Sequence, residues 1–287
     1  MIFAPRRSVA LATLACCLAT GMITSLAASP AAAGDHHRRG GDYLALGDSV
    51  PFGFSPLLPL GSDPSLYVGY PEVAAPRLHL ALTNLSCPGQ ASGGFLSLDG
   101  ADNGCFVFRA HAALHTSYDG AQLQAALDFL AGHPRTRLVT LMLGANDLFL
   151  CVNNTADRCS SPQELAATVA TLTRNLTTAL TAIRAVYRGR LVGVTYYTTN
   201  YADPTDTVPI QAIDAALAAA VTAFDGVVAD GYLAFQKRAA RFGGDACAAG
   251  LLIRLATGGC DVHPSAKGAR VLAKTVTAAA RAEDDDR

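Results

Sequence analysis

The stretch YLALGDSVPFGFSP, residues 43–56, sets Ser49 on a turn immediately after a short apolar run. A serine hydroxyl is a weak nucleophile unless a base within hydrogen-bond reach takes its proton, and imidazole titrates close enough to neutrality to do so. The segment CDVHPSAKG, far down the chain, supplies His263 with Asp261 two positions before it. A carboxylate so placed can accept the other ring N–H, fix the tautomer and stabilise the imidazolium formed during attack. Two more polar turns, SCPGQ and GAND, carry Gly89 and Asn146. Each segment taken singly is an ordinary turn. Their chemistry depends on whether the fold brings them together.

Short apolar runs of strand character recur at residues 43–46, 80–85, 138–143, 191–195 and 227–228, with helical patterns between them. Strands separated by helices imply a parallel sheet. The clearest helix runs from Pro162 to about Tyr187, its apolar face carried by Leu165, Val169, Leu172, Leu176, Leu180 and Ile183. Ser161 caps it, Pro162 suits its first turn and Glu164 completes a capping box. A second helix is expected after Pro209 on the stripe Ile210, Ile213, Leu217, Val221 and Phe224. Both stripes read as packing faces. Helices near residues 121–130 and from Ser265 to about Ala280 complete a three-layer α/β/α sandwich with a five-stranded parallel sheet. Ligands gather beyond the carboxyl ends of such strands, and GDS, SCPGQ and GAND follow the first, second and third runs. The block holding His263 reads as a loop before the last helix.

These four blocks, in this order, resemble the SGNH hydrolases, also called GDSL lipases and esterases, over Tyr43 to about Ala273. The resemblance implies a flavodoxin-like sandwich in which Ser49 is the nucleophile and His263 the general base. Gly89 and Asn146, with the backbone N–H of Ser49, then stabilise the oxyanion that forms as an ester carbonyl is attacked. The last block stands here as DVHP, with Asp261 as the carboxylate partner of His263. It further implies a secreted bacterial lipase or esterase that needs neither cofactor nor metal and takes a small-molecule or lipid ester. The Gly-x-Ser-x-Gly elbow of α/β-hydrolases occurs nowhere in the chain. Asp48 reads as a turn-forming hydrogen bonder, and Asp147 as a brace for the Asn146 loop.

Residues 1–33 carry Arg6 and Arg7, an uncharged apolar run and a small-residue end, SPAAAG, which together read as a secretory signal cleaved near Ala33. Residues 34–41 then form a flexible arm, 42–282 one hydrolase domain and 283–287 an acidic tail. Without the leader, 20 basic residues face 23 acidic ones, a balance of −3 that offers nothing to nucleic acid. An exported chain would oxidise its cysteines. Nearest-neighbour closure gives Cys87–Cys105, Cys151–Cys159 and Cys247–Cys260. A monomer with transient contact to lipid surfaces is expected.

The apolar segment PFGFSPLLPL leaves two readings open: Phe52, Phe54, Leu57 and Leu58 line an acyl pocket, or they pack beneath a proline-rich loop. Removal of acetyl groups from polysaccharide is the alternative activity, which the absence of tryptophan disfavours. A non-catalytic lipid- or glycan-binding protein is the alternative of another class. HAALH spaces His111 and His115 like a zinc-binding helix but puts Ala112 where the catalytic Glu would stand. LDGADNG resembles a calcium loop only loosely and reads as a bridged turn.

Overall fold

Five apolar runs form five strands: β1 (Asp42–Gly47), β2 (Ala81–Asn84), β3 (Thr136–Met142), β4 (Arg190–Val194) and β5 (Val227–Ala229). The structure, a computed structural model, describes residues 40–282; the leader, nearly all of the N-terminal arm and the acidic tail lie outside the described residues. The strands pair in the order β2–β1–β3–β4–β5, every pair parallel. The expected five-stranded α/β sandwich is therefore the observed fold.

Helices occupy every connection. Helices α1 (Ser49–Phe52) and α2 (Tyr70–Leu78) join β1 to β2, and α3 (Ser92–Leu96), α4 (Cys105–His111) and α5 (Gln122–Gly132) join β2 to β3. Then come α6 (Ala145–Asn154) and α7 (Pro162–Val186) before β4, and α8 (Pro204–Ala223) before β5. After β5, α9 (Gly231–Ala239) and α10 (Ala266–Arg281) flank an antiparallel hairpin of β6 (Leu252–Arg254) and β7 (Cys260–Pro264). Helices α2 and α9 pack on α10 over one face of the sheet, and α5 and α8 pack on α7 over the other.

Strands covered on both faces must be apolar along their length. Accordingly Tyr43, Leu44 and Leu46 of β1 and Val139 and Leu141 of β3 are all fully buried. Leu172, Leu176, Leu180 and Ile183 of α7 join the same core as Ile213, Leu217 and Val221 of α8. Burial of each such side chain contributes roughly 1.5–3 kcal/mol. The strand order has a consequence for chemistry: the chain leaves β1 for one edge and returns through β3 toward the other. A crevice must open beyond the carboxyl ends of these two strands. Ser49 follows β1 and Asn146 follows β3.

Several elements differ from the sequence reading. Helix α8 begins at Pro204, where Asp203 caps it by accepting from the Thr205 N–H (2.9 Å), so Pro209 lies inside it and does not precede it. Helix α2 was hidden by Pro71 and Pro76, of which the first sits in the opening turn and the second near the end, before His79 closes the helix in the left-handed region. The DVHP block is not a loop but strand β7, paired with β6 across the Gly258-Gly259 turn. Helix α7 starts as expected, Ser161 accepting from the Glu164 N–H (3.2 Å), although the Glu164 carboxylate turns to Asp157. The six cysteines of the described residues form Cys87–Cys105, Cys151–Cys159 and Cys247–Cys260.

Candidate active site

The turn that presents Ser49 is forced by sterics. Gly47 ends β1 at φ +133°, where a Cβ would lie 2.0 Å from the Met142 carbonyl oxygen. The Gln122 side chain clamps this peptide, accepting from the Gly47 N–H (2.7 Å) and donating to its carbonyl (2.9 Å). Asp48 then caps α1 by accepting from the Val50 N–H (3.0 Å), which leaves Ser49 in the first helical position. The first N–H groups of a helix have no partner within it. Among the described residues, the Ser49 N–H meets no acceptor elsewhere either, and the same holds for Gly89.

His263 arrives from the opposite direction. Residues two apart on a strand share a face, so β7 puts Asp261 and His263 side by side. Asp261 Oδ1 accepts from the His263 backbone N–H (2.9 Å) and from ring Nδ1, while ring Nε2 lies 2.9 Å from Ser49 Oγ. Partial burial would raise the Asp261 pKa, but its bonds to the His263 ring and backbone outweigh that and hold it below the ordinary carboxylate value. The carboxylate therefore stays ionised beside the imidazole. Ring and strand are held from outside the triplet as well: Phe54 packs on the His263 ring with centroids 4.9 Å apart, and the Tyr197 hydroxyl donates to the Val262 carbonyl (2.9 Å).

Asn146 is nearly inaccessible in the first turn of α6, and its Nδ2 donates to Asp48 Oδ2 (3.3 Å). The same oxygen accepts from the Tyr196 hydroxyl (2.5 Å). Asp48 is 1% exposed, and desolvation pushes its pKa up to about 6 despite these donors. Its part is larger than the turn-former expected from sequence, because it ties the serine turn to Asn146 and to the end of β4. Gly89 enters through a different set of bonds. Cys87, two residues before it, donates its N–H to the Gly47 carbonyl (3.0 Å), and the Gly89 carbonyl accepts from the Asn103 N–H (3.0 Å). Gly89 has φ +85°, and a Cβ there would lie 2.7 Å from the Asn103 carbonyl oxygen, so no other residue fits without backbone movement. Asp147 accepts from the Ser92 N–H (3.0 Å) and hydroxyl, bracing the Asn146 turn against α3.

Beside Ser49 and His263 opens a cavity of about 720 Å³, within the span of roughly 300–1,000 Å³ usual for small-molecule sites. Leu148, Phe149 and Val152 of α6, Leu165 of α7 and Val208 and Ile210 of α8 make its wall. Arg158, Thr198, Thr199 and Thr205 supply polar groups among the lining residues. None of Phe52, Phe54, Leu57 and Leu58 lines it. Phe52 and Leu58 pack into a small second core around the Cys87–Cys105 bridge, Phe54 sits against His263, and Leu57 projects into solvent at 60% exposure. Of the two readings for this segment, packing beneath the loop is the observed one for Phe52, Phe54 and Leu58, and Leu57 fits neither. Leu165, expected to be core, belongs instead to the cavity wall, and Ile210 both packs against the core and lines the cavity.

The residues that sequence reasoning missed are Tyr196, Tyr197 and Asn103. The tyrosines stand just beyond β4, at the rim where polar residues of a parallel sheet collect, and that position was the available signal. His111 and His115 do not converge: one ring bonds the Val107 carbonyl (2.9 Å) and the other the Phe52 carbonyl (2.9 Å). Among the described residues, the one cluster with metal-ligand geometry is Cys151, Cys159 and Glu164, whose two sulfurs are joined to each other.

The model of the GDSL-like Lipase/Acylhydrolase family matches residues 45–271. No curated protein matches the chain by sequence. Among solved structures, phospholipase A1 from Streptomyces albidoflavus superposes with a TM-score of 0.55 at 17% identity, covering 84% of this chain and 99% of that one. An acetylxylan esterase from Geobacillus stearothermophilus gives 0.51 at 17% identity, covering 84% and 95%. A member of the lipolytic G-D-S-L family from Veillonella parvula gives 0.50 at 15% identity, covering 83% and 96%. At such identities the likeness concerns the fold.

Proposed function

The chain belongs to the GDSL-like lipase/acylhydrolase family, and from that premise we propose that it is an exported serine hydrolase that cleaves esters of apolar acyl groups through an acyl-enzyme on Ser49. The single observation that carries this reading is the Ser49 Oγ to His263 Nε2 distance of 2.9 Å at the edge of an apolar-walled cavity of about 720 Å³.

Each step follows from the groups in place. Ser49 Oγ attacks the ester carbonyl as its proton passes to His263 Nε2, and Asp261 stabilises the imidazolium without taking the proton. The carbonyl oxygen becomes an anion, which the unengaged N–H groups of Ser49 and Gly89 and the second Nδ2 hydrogen of Asn146 receive. Collapse expels the alcohol, which leaves with the proton held by His263. Water then enters, gives a proton to His263, and releases the acid and the free Ser49 hydroxyl. The acyl chain occupies the cavity wall formed by α6, α7 and α8. Each methylene taken out of water contributes about 0.8 kcal/mol.

Export is part of the same proposal. Three disulfides in the described residues fit an oxidising compartment, and residues 1–33 have the composition of a cleaved leader. N-terminal sequencing of protein recovered outside the cell is expected to begin near Gly34; a start at Met1 would contradict cleavage. The substrate is tested with p-nitrophenyl esters of increasing acyl length. Rising kcat/KM from acetate to octanoate, by up to about fourfold per methylene while the cavity fills, is the expected outcome. A maximum at acetate would point instead to deacetylation.

A further inference from the structure

We infer that Asn103 is a positioning residue that sets both remaining oxyanion donors, Gly89 and Asn146, in their working orientation; the inference rests on the oxyanion role proposed above. Asn103 belongs to LDGADNG, the segment that as sequence gave only a bridged turn. Its backbone N–H donates to the Gly89 carbonyl (3.0 Å), and its side-chain Nδ2 donates to Asn146 Oδ1 (2.8 Å). At the other side of the same amide, Asn146 Nδ2 donates to Asp48 Oδ2 (3.3 Å).

A carboxamide presents an acceptor at one end and two donors at the other, in nearly the same shape. Shape alone therefore does not orient Asn146. Turned over, it would set its NH2 against the Asn103 NH2 and its oxygen against the Asp48 carboxylate, replacing two attractions with two repulsions. Only one orientation survives, and in it one Nδ2 hydrogen is spent on Asp48 while the other is left for the substrate oxyanion. Gly89 is fixed by the same residue through the backbone, whose close approach at φ +85° admits no Cβ. Asn103 is itself anchored two residues later by Cys105, which is bonded to Cys87, whose N–H holds the Gly47 carbonyl (3.0 Å). The serine turn, the Gly89 turn and the Asn146 turn are thereby closed into one ring of contacts.

The test measures kcat and KM with p-nitrophenyl butyrate, alongside thermal melts, for Asn103→Ala, Asn103→Asp, Asn146→Ala and the double variants with Asn146→Ala. Loss of one oxyanion donor costs about 10²–10³ in kcat. Asn103→Ala, which loosens that donor without deleting it, is expected to lower kcat by about tenfold with KM little changed. Adding it to Asn146→Ala should cost nothing further, because the side chain acts through Asn146. Asn103→Asp keeps the volume but faces Asn146 Oδ1 with an acceptor, so that either orientation of the amide meets one carboxylate with its oxygen; the preference is lost and kcat is expected to fall at least as far as in Asn103→Ala. Wild-type kcat in both Asn103 variants overturns the inference, as does an equal fold-loss with and without the Asn146 carboxamide. If Asn103→Ala does not fold, the isosteric Asp variant carries the same comparison alone and in the double. Wild-type kcat in Asn146→Ala would instead remove the oxyanion reading itself, and the inference with it.

Discussion

The catalytic rim and the cavity wall beside it are built in opposite ways. At the rim, polar atoms are held from several sides: Asp48 accepts from Val50, Tyr196 and Asn146, Gln122 grips both ends of the Gly47 peptide, and Asp261 takes two bonds from His263. The wall is made of apolar side chains that only half find partners, with Phe149 at 39% and Val208 at 53% exposure. Yet both regions draw on elements that elsewhere form the core. Leu172 and Leu176 of α7 are fully buried, whereas Leu165, two turns earlier on the same stripe, faces the cavity. A pre-organised polar frame lowers the barrier because it need not reorganise as charge develops. An underfilled apolar wall selects what is brought to that frame.

If this division is right, changes at the rim lower turnover for every ester alike, and changes in the wall alter the ranking of esters. The largest effect is expected for Ser49→Ala, a loss on the order of 10⁶ in kcat, followed by Asp261→Asn at about 10⁴ through the wrong His263 tautomer. Steady-state kinetics on acetate and octanoate esters check both, and the loss should be the same for each chain length. A chain-length-dependent loss in either variant would erase the distinction between rim and wall.

Leu165→Trp sharpens the comparison from the other side by filling the cavity. It is expected to lower kcat/KM for octanoate by about tenfold relative to acetate, with kcat for acetate unchanged. A uniform loss would mean that the wall also positions the rim.

The smallest effect concerns stability. Asp214 of α8 accepts from the Tyr196 N–H (2.8 Å) through Oδ1, while its buried Oδ2 has no partner. Desolvation raises its pKa from 3.8 to about 7. The folded protein thus binds this proton more tightly than the unfolded chain. The stability it contributes is complete below about pH 4 and is lost as pH rises to about 7. Asp48, raised from 3.8 to about 6, acts with the same sign. Asp214→Asn should shrink the loss of stability between pH 4 and 8 by on the order of 3 kcal/mol. Urea titrations at both pH values measure it, and an unchanged pH dependence would contradict the assignment.

The core of the sheet was legible because parallel strands covered on both faces must read as continuous apolar runs, and β1, β3 and β4 fall within about two residues of their expected positions. The reacting residues were legible because each follows a strand or precedes a helix in a recognisable block. Tyr196 and Asn103 were not, since their importance lies in which distant atoms they touch, and nothing local in VTYYTTN or LDGADNG encodes that. The cavity was hidden for a related reason. Helical periodicity marks which face of α7 and α8 is apolar, but the same stripe serves a filled core at one end and an open pocket at the other. Proximity in sequence misled at PFGFSPLLPL, which lies next to Ser49 in the chain yet turns away to pack around a disulfide.

The account stands on Ser49 being the activated hydroxyl, and covalent labelling tests that most directly. Folded protein treated with a p-nitrophenyl alkylphosphonate and mapped by peptide mass spectrometry should carry one adduct, on Ser49, and His263→Ala should abolish it. An adduct on another residue, or none on protein that hydrolyses esters, would contradict the account.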